Sequence, residues 1–166
     1  ESKIFFIDEG TGIYLASALN TSTDIPYQKV LSQYEFSGSF IASRENLVHA
    51  MKRADAFIDK KYSYAVSLKT MRDGDQWTLR VSSIEDQTGQ KFDEDVALIS
   101  CNKELDGVYS ILNFMKAMSA FDDDNISISW RENNLSAYQD RTLKIFATKD
   151  NYTVNAIIPS MARAKK

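Results

Sequence analysis

A reaction needs a nucleophile, a base or a metal, and the residues here that could supply one are His49, Cys101 and the run Asp122-Asp123-Asp124. His49 is the only histidine, so an imidazole base would have to be this residue. It stands alone in a helical pattern with no accompanying motif, which reads as a surface or capping residue and not a base. Cys101 is the only cysteine and has no nucleophile signature around it. Three consecutive aspartates project in divergent directions and lack the spacing of a calcium loop, so the run reads as a solvated loop. The sequence also has no glycine-rich phosphate loop. The expectation is a protein that binds and does not catalyse, with no metal or cofactor.

Composition narrows what it could bind. A chain of 166 residues that is 43% apolar can bury one ordinary core with a remnant to spare. A single cysteine excludes a disulfide framework and points to a reducing compartment, the cytoplasm. No apolar run approaches membrane-span length and no export leader is visible. The first residue is Glu1 and not Met, from which a longer functional chain is expected. The formal net charge of −3 excludes tight grip on nucleic acid by phosphate neutralisation and leaves weak or topological association open. Arg163, Lys165 and Lys166 read as a frayed tail.

The elements that must position any binding surface occur twice. An ungapped offset of 64 residues lays Leu47, Met51, Lys52, Ala56, Phe57 and Ser63 on Ile111, Met115, Lys116, Ala120, Phe121 and Ser127. In the first copy Leu47, Ala50, Met51, Ala54, Phe57 and Ile58 recur at helical spacing, with Ser43 as N-cap and Glu45 in the first turn. Tyr62, Tyr64, Val66 and Leu68 then alternate as a strand, Asp73-Gly74 turns, and Trp77, Leu79 and Val81 alternate as its hairpin partner. A further strand is predicted near Phe92 to Ser100. In the second copy Val108, Ile111, Leu112, Met115 and Met118 form the helical stripe. Three strands follow it, through Ile126 to Trp130, Leu143 to Ala147 and Tyr152 to Ile158, with Asp150-Asn151 as a turn and Pro159 as the stop. The fold class is α+β, two repeats of strand, helix and three strands with both helices on one side of antiparallel sheet. Upstream, Ile4 to Ile7 and Gly12 to Leu19 read as two strands joined at Glu9-Gly10, too little to bury a core alone. The predicted division is 1–36 as the end of a preceding domain with its connector, 37–160 as the main domain and 161–166 as a tail.

The doubled unit, the stretch Ile111-Leu112-Asn113-Phe114-Met115-Lys116-Ala117-Met118, the ending Ala156-Ile157-Ile158-Pro159 and the connector Ile25-Pro26-Tyr27 with Val30-Leu31 together resemble the C-terminal part of the bacterial sliding clamp, the DNA polymerase III beta subunit. The connector lacks the family's acidic or amide residue after its proline, Ser32 replaces a proline, and Ser160 replaces the methionine that usually follows the terminal proline. The resemblance implies a processivity factor whose two or three chains, as a homodimer or larger homo-oligomer, close a ring around duplex DNA with helices lining the hole. By position it implies DNA-facing roles for His49, Lys52, Arg53, Asn113 and Lys116. It implies a pocket for short peptides of polymerase and clamp-loader subunits at Leu31, Ser32, Thr142, Leu143, Ala156, Ile157, Ile158 and Pro159. It also implies a subunit contact at Phe57 and Ile58. The alternative reading is a stand-alone clamp-like module that binds replication proteins without encircling DNA.

Overall fold

Alternation along the strands divides the sheet into a helix-covered face and a helix-free face. The computed structural model describes residues 3–8, 13–18, 35–58, 64–83, 91–131, 141–149 and 152–161. The chain divides into two compact units, Glu1–Tyr34 and Glu35–Lys166. In the first, β1 (Lys3–Asp8) and β2 (Ile13–Ala18) form an antiparallel pair running from Lys3 opposite Ala18 to Asp8 opposite Ile13. The predicted Glu9-Gly10 and Asp150-Asn151 turns, Ser63 and the tail from 162 onward lie outside the described residues.

The second unit runs β3 (Phe36–Ser43), α1 (Arg44–Ala56), β4 (Ala65–Asp73), β5 (Gln76–Ser83) and β6 (Asp93–Cys101), then β7 (Asp106–Ser110), α2 (Ile111–Met118), β8 (Asn125–Arg131), β9 (Leu143–Lys149) and β10 (Tyr152–Ile158). The eight strands form one antiparallel sheet in the order β10-β9-β8-β3-β6-β5-β4-β7. Each copy's first strand is paired into the other copy's hairpins, β3 beside β8 and β7 beside β4.

The sides of the sheet are set by period-two burial. Phe40 and Ala42, Val66 and Leu68, Leu79 and Val81, Ile126, Ile128 and Trp130 are all buried in one core with Leu47, Met51, Phe114 and Met118 of the helices. Both helices therefore cover the same face. At β4–β5, Asp73 pairs with Gln76, and the turn between them needs a left-handed residue, supplied by Gly74 at φ +58°.

The repeat recurs in the hydrogen bonds at its helix starts even where its spacing differs. Ser43 and Ser110 each cap their helix by accepting the backbone N–H of Asn46 or Asn113, both at 3.4 Å. The first helical N–H of each helix then donates across to the other copy, Arg44 to the Asp124 carbonyl at 2.9 Å and Ile111 to the Tyr64 carbonyl at 2.8 Å. This satisfies a donor that a helix start otherwise leaves open.

Two expectations need correction. Aligning the caps pairs Leu47 with Phe114 and Met51 with Met118, about one turn away from the uniform offset, because α1 has 13 residues and α2 has 8. The stripe of α2 is Ile111, Phe114 and Met118. Val108 belongs to β7 and Leu112 is exposed, since the cap at Ser110 starts the helix only at Ile111 and turns Leu112 away from the core.

Candidate functional site

Burying Leu47, Ala50, Met51 and Ala54 turns the other side of α1 outward, and with it His49, Lys52 and Arg53. On α2 the same logic exposes Asn113 and Lys116. The helices touch where an Arg44 guanidinium nitrogen donates to the Met118 carbonyl at 3.4 Å, placing a cation at the C-terminus of α2. The five residues expected to face DNA thus all lie on the helix layer.

Their electrostatics are mixed. An open groove of about 560 Å³ beside the start of α1 is lined by Arg44, His49 and Lys52 and by Asp122, Asp123 and Asp124. The aspartate run lies beside the candidates His49 and Lys52, and its negative charge dilutes the positive potential there. Among the described residues no group of three or more His, Cys, Asp or Glu side chains is arranged to hold a metal.

Arg53 is already engaged. Its Nε donates to Glu94 Oε2 at 2.7 Å and its Nη2 to Oε1, a bidentate pair between α1 and β6. The Arg53 hydrogen bonds hold the Glu94 carboxyl below the usual carboxylate range. One turn on, Phe57 is 43% exposed and stacks on Phe92, with ring centroids 5.2 Å apart and planes 26° apart. Ile58, its neighbour, is buried in the core.

At the far end of the sheet, Leu143 and Ile158 face one another in the β9–β10 register and are wholly buried. Ala156 packs on the same core, and buried Thr142 accepts the Arg131 N–H through its carbonyl at 3.1 Å. Ile157 points to the opposite face of β10 from Ile158, and Pro159 is exposed, so the structure does not gather all six on one surface. Leu31 and Ser32 lie outside the described residues. A seam beside this cluster joins β10 to β7. The Tyr109 hydroxyl donates to the Arg141 carbonyl at 2.7 Å, Ser160 Oγ accepts the Arg141 N–H at 3.2 Å, and the Met161 N–H donates to the Val108 carbonyl at 2.7 Å. Gly107 makes room for it, since a Cβ there would lie 2.4 Å from the Tyr109 hydroxyl.

No family model matches the chain, and no curated protein matches it. Solved structures do. The Bacillus subtilis DNA polymerase sliding clamp matches with a TM-score of 0.72 and 17% identity over 99% of this chain. The Thermotoga maritima DNA polymerase III beta subunit matches with a TM-score of 0.72 and 12% identity over 98%, and the Borrelia burgdorferi beta subunit with 0.71 and 17% over 98%. The chain has the sliding-clamp fold. It spans 40% of the length of the Bacillus and Thermotoga clamps and 39% of the Borrelia one.

Within the clamp fold, four participants carry no local signal in the sequence. Glu94 was hidden because it sits at the head of a strand whose neighbours are acidic, and nothing local marks it as the partner of a helix. Phe92 carries only the signature of a strand start. Tyr109 and Ser160 were likewise invisible as a pair, since their link spans the two ends of the sheet. Cys101 is half-buried and its thiol donates to the Lys103 carbonyl at 3.1 Å; burial pushes its pKa up, away from the thiolate a nucleophile needs. Among the described residues no helix is long and apolar enough to cross a membrane.

Proposed function

We propose that this chain is part of a sliding clamp, a non-catalytic cytoplasmic processivity factor whose ring encircles duplex DNA with the helix layer inward. The observation that carries the reading is the placement of both helices of a doubled unit on one face of a continuous eight-stranded sheet, in a fold matched by clamps over nearly the whole chain. A ring holds DNA by linkage, so a net charge of −3 and a helix face of mixed sign are compatible with retention and with movement along the duplex. His49, Lys52, Asn113 and Lys116 are the groups offered to phosphates, while Arg53 is taken up by Glu94. The first compact unit, Glu1–Tyr34, is the end of the preceding clamp domain with its connector. Exposed Phe57, resting on Phe92, is the apolar contact for the next subunit, and Ile58 supports it from the core. Short apolar peptides of polymerase and clamp-loader subunits dock at the β9–β10 end of the sheet, beside Thr142 and Ala156 and above a floor of Leu143 and Ile158.

The test is topological. The protein is loaded on a nicked circular plasmid, which is then cut once. A ring stays on the circle and slides off the linear form, and Lys52→Glu lowers retention on the circle. Equal retention on both forms would overturn the ring.

A further inference from the structure

Arg53 carries the group best suited to a phosphate, a planar guanidinium that can bind two oxygens at once. That fork is filled by a carboxylate of the same domain. β6 alternates, with Asp95 and Ala97 exposed on the helix-free face and Val96 buried beneath the helices. Glu94 is on the helix side, two residues before buried Val96, and from there it meets Arg53. The pair is open to water, with side-chain exposures of 54% for Arg53 and 26% for Glu94. Lys52, the next residue, is exposed and has no ion-pair partner among the described residues. Two adjacent cations on one helix are therefore in different states, one available and one occupied.

We propose that Glu94 stands in for a DNA phosphate, holding Arg53 in reserve and so limiting how strongly the helix face grips the duplex. The inference rests on the reading of the helix layer as the DNA-facing side. An exposed ion pair is worth little, so its arginine can be recruited, but only after the carboxylate is displaced. That displacement is a tax on any contact of Arg53 with a phosphate, and a protein that must move along DNA benefits from it. Glu94 can be neutralised without loosening the strand: its backbone remains in the ladder opposite Val81, and Phe92 remains stacked on Phe57.

The experiment is a nuclear magnetic resonance titration of the chain with a short blunt duplex across a series of salt concentrations. Each phosphate contact contributes about 0.9 to the slope of log affinity against log salt on B-form DNA. Glu94→Gln is expected to steepen that slope by about 0.9 and to tighten low-salt binding several-fold. Arg53→Gln is expected to leave the slope at its original value, and the double variant to lose the gain. Glu45→Gln removes the same charge from an exposed site on α1 without freeing a guanidinium, and is expected to tighten binding without steepening it. The proposal is overturned if Glu94→Gln does not steepen the slope, if Glu45→Gln steepens it equally, or if Arg53→Gln flattens it as much as Lys52→Gln. Flattening by Lys52→Gln with no response to Glu94→Gln removes this inference and leaves the DNA-facing helix layer standing. Absence of binding by the wild type and every variant at the lowest salt removes both.

Discussion

Gly38 sits in β3 directly opposite Trp130 of β8, on the helix-covered face, and the indole fills the space a side chain would take. A Cβ there would lie 2.0 Å from Trp130 Cε2 and 2.3 Å from both Cζ2 and Nε1. The ring cannot retreat, because Trp130 is fully buried and lies against Phe40, with centroids 6.0 Å apart. Gly38→Ala gains about 0.4–1 kcal/mol from a stiffer unfolded chain. Overpacking of a tight core costs about 1–3 kcal/mol, and contacts this short put the cost at the upper end. The net expectation is destabilisation of roughly 2 kcal/mol, or about 8 °C in Tm at about 4 °C per kcal/mol for a domain of this size. The assay is urea denaturation of Gly38→Ala, Trp130→Leu and the pair. Leucine lacks the three ring atoms that the new methyl would strike, so the double variant should be more stable than the sum of the single losses by about 1–2 kcal/mol. A Gly38→Ala protein within about 0.5 kcal/mol of wild type, the size of a neutral surface change, or losses that simply add, would refute the packing argument.

Two further outcomes follow from the caps and the ion pairs. Ser43→Ala and Ser110→Ala should each cost about 0.5–1 kcal/mol, at the low end of capping effects because both bonds are long, and the two losses should add in thermal melts if the repeats act as equivalent sites. Glu94 and Asp95 are held below the usual carboxylate range by hydrogen bonds from Arg53 and Arg80 respectively. Their contribution is therefore complete above the unfolded carboxylate pKa, about 4, and is lost as pH falls through the lower folded values. Urea midpoints of the wild type and of an Arg53→Gln, Arg80→Gln variant should accordingly differ at pH 7 and converge in acid. A gap that stays constant from neutral pH into acid would show that the arginines stabilise the fold by some other route.

The parts of the fold that could be read from the chain are those where one residue's environment is set by near neighbours. Ser43 as a cap, the α1 stripe from Leu47 to Ala54, and the alternation through Ile126, Ile128 and Trp130 are local patterns, and the structure has them. The α2 stripe went wrong where local pattern conflicts with a boundary. Val108, Ile111 and Leu112 fit helical spacing, but Ser110 ends a strand and opens the helix, so Phe114 takes the core position that spacing gave to Leu112, while Met115 packs half-buried against the core. The candidate site was legible only by type. Exposure of Lys52 and Lys116 follows from helix periodicity, whereas the Arg53–Glu94 pair depends on which strand lies beneath α1, and no short-range pattern encodes that. The same holds for Ile157 and Ile158. Both are apolar neighbours on one strand, and their opposite orientations were implicit in strand geometry, yet treating them as one surface ignored it.

The pairing of each copy's first strand with the other copy makes this domain indivisible. β7 has its ladder entirely with β4 of the other half, apart from the single bridge between Tyr109 and Ser160. A cut between β6 and β7 would leave either piece with an unsatisfied edge and a helix deprived of the carbonyl that receives its first amide. The duplicated unit is thus an interlock and not a tandem pair of independent modules. It must form through contacts far apart in the chain, which makes slow, all-or-none assembly a property of the architecture itself.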